Sequence, residues 1–168
     1  RNTVDRKKTI IAVDNSFAMI EQCNQMIKHL DLHTDVELVC DEIQNVSINN
    51  ATMVVLNFTL QFLSLSERDK LVQTIFDGLN PGGILVLSEK VKFADEHLDE
   101  LMVELHHSFK KANGYSDLEI SQKRTALENV LIPETLDVHR QRLTSAGFSS
   151  IDVWFQCFNF ASLLAIKH

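Results

Sequence analysis

The hydrophobic positions fall first into short unbroken runs and later into stripes of helical spacing. Thr9–Asp14 (TIIAVD) is an apolar run ending on an acid, the pattern of a buried parallel strand. Ser16 stands where it can cap a helix in which Ala18, Met19, Cys23, Met26, Ile27 and Leu30 share a face. Val36–Cys40 predicts a second strand running into Asp41 and Glu42, and Met53–Phe58 a third, apolar except at Asn57. Ser66 with Asp69 predicts a variant capping box for a helix presenting Leu71, Ile75 and Leu79. Asn80-Pro81-Gly82-Gly83 predicts the end of that helix and a tight turn before another buried strand, Ile84–Leu87. This alternation predicts an open α/β sheet with crossover helices.

Beyond Glu89 the rhythm changes. Leu98, Leu101, Met102, Leu105 and Phe109 form a helical stripe that stops at Asn113-Gly114, and Ile120–Val130 reads as a further helix bounded by Pro133. The two are expected to form an insertion, about residues 95–132, over the active edge of the sheet. A helix from about Glu134 to Ala146, stopped by Gly147, precedes two β-rich stretches, Ile151–Phe155 and Phe158–Ile166. No repeat, low-complexity tract or linker interrupts the pattern, so residues 1–168 read as one domain.

Composition narrows the function. With 45% hydrophobic residues, a chain of 168 can bury a substantial core. A net charge of −7 and a pI near 5.4 argue against broad binding to a nucleic-acid backbone and favour small-molecule substrates. No apolar run approaches the roughly 20 residues needed to cross a bilayer, so no membrane association is expected. The first residues are charged and polar, unlike a signal peptide. Cys23, Cys40 and Cys157 are odd in number and show no CxxC spacing. They are expected to be small buried apolar residues in a reducing cytoplasm, not a disulfide or zinc framework.

Several polar residues stand where chemistry is possible. Asp14 ends an early strand, where a carboxylate can accept hydrogen bonds from both ribose hydroxyls, with the Asn15 amide beside it. A helix-capping acid is the alternative, and spacing leaves both open. Glu42, or Asp41 next to it, could define an adenine edge or remain an exposed loop acid. Asn57 near a strand end needs a partner, either a ligand or a neighbouring loop. Arg124 lies within the insertion, where its planar fork could clamp a carboxylate or simply face solvent. His97 and the adjacent His106 and His107 make a weak metal case, because neighbours on a helix point about 100° apart. No GxGxxG, Walker or HExxH pattern occurs. No metal is expected.

IIAVDNSFAMIEQC resembles the second strand and following helix of class I methyltransferases, and NATMVVLNFTLQFL with GLNPGGILVLSEK resembles their fourth strand, next helix and fifth strand. HHSFKKANGYSDLEISQKRTALENVL and the ending WFQCFNFASLLAIKH are similar to the carboxy-S-adenosylmethionine synthase family, along essentially the whole chain. The resemblance implies a Rossmann-like α/β fold: a mostly parallel sheet, helices on both faces and a C-terminal antiparallel strand. It further implies conversion of S-adenosylmethionine and prephenate into carboxy-S-adenosylmethionine and phenylpyruvate. In the family proposal the activated methyl group becomes an ylide carbon that captures carbon dioxide released from prephenate, and the expelled hydroxide serves as base. The product then supplies a tRNA carboxymethyltransferase that completes a wobble-uridine modification.

By matching segments, the resemblance implies that Asp14 and Asn15 hold the ribose and nearby parts of the cofactor. Glu42 and Ile43 would frame the adenine, Asn57 would lie beside the methionine portion, and Arg124 would grip the new carboxylate. A cytoplasmic homodimer is the expected state, the apolar ending WFQCFNF pointing the same way. The family's first strand and glycine-rich loop would precede Arg1, so the given residues are expected to be a C-terminal piece, with two sheet edges open. Alone, they are expected neither to bind cofactor tightly nor to turn over. An ordinary small-molecule methyltransferase and a non-catalytic cofactor-binding partner are the competing readings.

Overall fold

In the computed structural model the described residues are 9–29, 34–128 and 130–168, with the side chains at 124, 126 and 128 outside the description. They fall into two compact units, one up to Ser47 and one from Ile48 to His168.

The first unit is a β–α–β crossover. Strand β1 (Thr9–Asp14) leads through helix α1 (Phe17–Lys28) to strand β2 (Asp35–Cys40). The strands are parallel, in register from Thr9 opposite Asp35 to Asp14 opposite Cys40. A parallel pair requires such a crossover, and α1 supplies it. Ser16 caps α1 as expected, its hydroxyl accepting the Met19 N–H at 3.4 Å. Leu30, expected on the apolar stripe, lies outside the described residues. Because β1 and β2 end in register, Asp14 and the loop after Cys40 emerge at the same carboxyl edge.

The second unit contains β3 (Ala51–Asn57), α2 (Leu65–Gly78), β4 (Leu79–Lys90), α3 (Glu96–Ala112), α4 (Asp117–Glu128), α5 (Leu136–Ala146), β5 (Ser150–Cys157) and β6 (Phe160–Ile166). Its sheet has the order β3-β4-β6-β5; β3 and β4 are parallel, and β6 runs antiparallel to both neighbours. Pairing is thus parallel in β1/β2 and β3/β4, with an antiparallel C-terminal strand, as the sequence predicts. Leu71, Val72 and Ile75 of α2, Leu85 and Leu87 of β4, Leu143 of α5 and Leu163 of β6 form the core. Burial alternates along β4, so period two places Glu89 on the same buried face as Leu85 and Leu87.

Several boundaries differ from the expectations. The capping box of α2 is Ser64 with Glu67, not Ser66 with Asp69: the Glu67 carboxylate accepts the Ser64 N–H at 3.3 Å and its hydroxyl at 2.5 Å. The helix stops at Gly78, where a Cβ would lie 2.2 Å from the Ile48 carbonyl oxygen. Asn80–Gly83 is therefore not the helix terminator. It bulges from β4, since Leu79 pairs with Ala51 and Ile84 with Met53. Gly82 takes φ of +78° and donates its N–H to the Lys167 carbonyl, tying the bulge to the end of β6. Phe58 lies outside β3, with φ of +58°. Glu134 precedes α5, whose cap is Thr135.

The cysteines are also corrected. Cys40 and Cys157 are exposed and Cys23 half-buried, because the first two sit at strand ends where the sheet stops covering them. Among the described residues, no helix is long and apolar enough to cross a membrane.

Candidate functional site

At the carboxyl edge of β1 and β2, four of the expected residues come together. Asp14 Oδ1 accepts the Ser16 N–H at 2.8 Å, so one carboxylate oxygen shapes the strand-to-helix turn. The cap of α1 is Ser16, not Asp14, and the exposed Asp14 carboxylate serves the turn through Oδ1. Asn15 Nδ2 donates to Glu42 Oε1 at 3.1 Å, joining the ends of the two strands.

Asp41 and Glu42 play different parts in the loop after β2. Asp41 Oδ1 accepts the Glu42 N–H at 2.7 Å and Asn45 Nδ2 at 2.8 Å, which folds the 3₁₀ turn Ile43–Asn45. Asp41 Oδ1 thus serves local structure, while the Glu42 side chain is held beside Asn15. Half-buried Ile43 opens the turn. The set offers two carboxylates, an amide and an apolar side chain at one strand edge. Such a set can accept hydrogen bonds from vicinal hydroxyls and flank a flat ring.

Asn57 and Arg124 belong to the second unit. Asn57 is the exposed last residue of β3, opposite Ser88. Arg124 lies in α4, and its side chain is outside the described residues.

The second unit contributes groups that sequence reasoning missed. Glu89 is fully buried, and its two oxygens accept the Leu60 and Gln61 N–H groups at 2.9 and 3.0 Å. Burial raises its pKa to about 7, against the opposing pull of those N–H groups and of Arg68. Arg68, also fully buried, donates to the Gln61 and Leu63 carbonyls and pairs with Glu134, which Arg142 grips from the other side. Burial pushes the Glu134 carboxyl upward, but the two arginines outweigh it and hold the pKa below the usual range. The alternation Leu85, Leu87, Glu89 was the available sign that this acid is buried; the Arg68–Glu134 pair spans too much sequence to leave one.

This buried network fixes the segment after β3 along one wall of a cavity of about 560 Å³. Phe58, Phe62 and Phe160, with Gln61, Lys90, His106, Lys110 and Lys123, line it. Phe58 and Phe160 meet edge to face at 5.8 Å, and the His106 ring lies 4.8 Å from Phe160. Burial, then the charge of Lys110, lowers the His106 pKa to about 4, so the ring is neutral near pH 7. His106 is thus engaged with aromatic rings, and the described residues contain no group of three or more His, Cys, Asp or Glu arranged for a metal.

Comparison with known proteins gives the lineage. The methyltransferase domain family matches residues 1–83. The carboxy-S-adenosyl-L-methionine synthase of Shewanella denitrificans is 60% identical, over 99% of this chain and 69% of its own length. That of Haemophilus ducreyi is 55% identical, over 99% of this chain and 68% of its own. Among solved structures, the O-methyltransferase family 2 protein from Planctomyces limnophilus, in complex with apigenin, matches with a TM-score of 0.66 at 16% identity, over 96% of this chain and 43% of that one. Human N-acetylserotonin methyltransferase, in complex with SAM, gives 0.60 at 14% identity, over 96% and 40%. At such identities the solved structures show the fold alone, the Rossmann-like α/β fold of class I methyltransferases. The curated relatives carry the lineage further: with 60% identity across nearly all its residues, the chain belongs to the carboxy-S-adenosyl-L-methionine synthase family of enzymes.

Proposed function

We propose that the protein carrying this chain converts S-adenosyl-L-methionine and prephenate into carboxy-S-adenosyl-L-methionine and phenylpyruvate. The observation that carries this reading is the near-complete, 60% identical match to a carboxy-S-adenosyl-L-methionine synthase. The strand-end set supports it, because Asp14, Asn15, Glu42 and Ile43 have the chemistry an adenosyl group needs. In this reading Asp14 and Asn15 hold the ribose, Glu42 and Ile43 frame the adenine, and Asn57 serves the methionine end.

The reaction balances without a protein base. Prephenate loses carbon dioxide and hydroxide to leave phenylpyruvate. The S-methyl carbon loses a proton and gains the carbon dioxide, and the hydroxide takes that proton as water. What the protein must add is discrimination, because a bound methyl donor and its carboxylated product differ by one negative group. Arg124 is the residue assigned to it: its guanidinium pairs with the new carboxylate and is left unpaired by plain S-adenosylmethionine. The whole chain acts as one cofactor-binding domain with residues 95–132 as its insertion, in a cytoplasmic homodimer whose product feeds a tRNA carboxymethyltransferase.

Identifying the small molecule that copurifies with the intact protein tests the assignment. Carboxy-S-adenosylmethionine is the expected ligand. Retention of S-adenosylhomocysteine together with a methylated acceptor would favour an ordinary methyltransferase, and retention of S-adenosylmethionine with no use of prephenate a non-catalytic binder.

A further inference from the structure

We propose that the cavity between β3's end, α3, α4 and the start of β6 binds the second substrate, a small cyclic carboxylate bearing more than one negative charge. This assignment rests on the proposed reaction for the identity of the ligand, but the observations behind it are independent of that reaction.

The first observation is size. A volume of about 560 Å³ suits a small organic molecule, whose pockets run roughly 300–1,000 Å³. The second is charge. Lys90, Lys110 and Lys123 line the cavity, from β4, α3 and α4 respectively, and no Asp or Glu among the described residues lines it. Three successive elements thus bring cations to one space within a chain of net charge −7. A concave wall of one sign draws in ligands of the other.

The third observation is shape and rigidity. The edge-to-face pair Phe58–Phe160 and the His106 ring give flat walls against which a six-membered ring can stack. Gln61 is nearly buried and fixes this wall: its Oε1 accepts the Lys90 N–H at 3.0 Å, and its Nε2 donates to the Phe58 carbonyl at 3.5 Å. Beneath it, Glu89 and Arg68 hold the Gln61 backbone from opposite sides. Rings supply the apolar contact, and the lysines fix the carboxylates without a rigid fork.

His106 supplies an internal reporter. Its pKa of about 4 arises from burial first and then from Lys110, His107 and Lys90. An anion seated among those cations offsets their field and at the same time covers the ring, so occupancy must change the surroundings that His106 reports.

Calorimetric titration of the intact protein with prephenate, and separately with terephthalate as an unreactive cyclic dicarboxylate, tests the assignment. The variants are Lys110→Gln, Lys123→Gln and the double variant, with Lys70→Gln on the exposed side of α2 as control. Each single change is expected to weaken binding about tenfold, with the double variant weaker still and the control unchanged. Wild-type affinity should also fall with added salt. If the lysine variants lose stability, two measurements on the wild type decide instead. Prephenate must shift the His106 ring resonances in NMR spectra and shield Lys110 and Lys123 from amine acetylation. Wild-type affinity in the double variant, or no change at His106 and both lysines, overturns the proposal. Lysine-dependent binding of terephthalate without consumption of prephenate leaves the cavity standing and removes the proposed reaction. Full turnover of prephenate by the double variant does the reverse.

Discussion

Asn15 Nδ2 donates to Glu42 Oε1 at 3.1 Å, a bond between residues 27 positions apart that closes the carboxyl edge of β1 and β2. It explains how two loop residues can act as one site. The β1–α1 turn is set by Asp14 and Ser16 and the β2 loop by Asp41 and Asn45, and the Asn15–Glu42 bond then ties the two loops together. A preorganised set of side chains holds a ligand more tightly than a mobile one, because less side-chain freedom is lost on binding.

Asp14 can be tested without unfolding the turn. Asp14→Asn keeps an oxygen for the Ser16 N–H but removes the charge that a ribose hydroxyl would meet. Affinity of the intact protein for S-adenosylmethionine should fall about tenfold to a hundredfold, since hydrogen bonds to a charged group contribute roughly 1.5–3 kcal/mol. Thermal stability should change little. Unaltered affinity by calorimetry contradicts the ribose assignment.

Arg124→Ala should abolish discrimination between the two forms of the cofactor. The variant is expected to bind carboxy-S-adenosylmethionine about a hundredfold less tightly, while its affinity for plain S-adenosylmethionine stays within a few-fold. Arg124→Lys should recover part of the difference, because an ammonium keeps the charge but loses the two parallel hydrogen bonds. Equal losses for both ligands would reduce Arg124 to a general structural residue.

The pair Arg68–Glu134 is buried, with the arginine side chain 0% and the glutamate 13% exposed. Arg68→Met keeps most of the volume but strands the Leu63 carbonyl, leaves the Gln61 carbonyl to the Ile132 N–H and leaves Glu134 to Arg142 alone. A loss of about 3–5 kcal/mol is the usual result of breaking a buried pair, and the low end is expected because Arg142 remains. Urea unfolding measures it, and a loss below about 1 kcal/mol contradicts the account. The cavity wall carrying Gln61 should loosen as well.

His139 makes the fold acid-sensitive. Burial, then the Arg142 charge, lowers its pKa from 6.5 to about 4. Between those values the unfolded chain holds more protons than the folded one. Stability is therefore complete above pH 6.5 and drains away as the pH falls toward 4, by up to about 1.4 kcal/mol per pH unit. His106 acts in the same direction, whereas Glu89, raised to about 7, acts oppositely as its protonated form is favoured in the fold. A His139→Gln variant isolates one contribution: its stability should decline less steeply than the wild type's between pH 6.5 and 4.5. Parallel curves contradict the burial argument.

Much of this architecture was legible because short apolar runs bounded by polar residues mark parallel strands, as at TIIAVD and MVVLN. The capping box was misplaced because S-L-S-E-R-D offers two registers, and the longer glutamate side chain reaches the cap at Ser64. Asn80–Gly83 reads as a turn locally, yet the sheet uses it as a bulge, which only the pairing of β4 with β3 reveals. Asp14, Asn15 and Glu42 were visible as strand-end polar residues. The cavity was not, because Lys90, Lys110 and Lys123 sit on three different elements and converge only through tertiary packing. The buried state of Arg68 was hidden for the same reason: its partner Glu134 is 66 positions away.

The most direct measurement is mass spectrometry of the intact protein after incubation with S-adenosylmethionine and prephenate. A cofactor gaining one carboxyl group, with phenylpyruvate formed in equal amount, is the predicted result. Demethylated cofactor beside a methylated acceptor, or unchanged cofactor with prephenate intact, would contradict it.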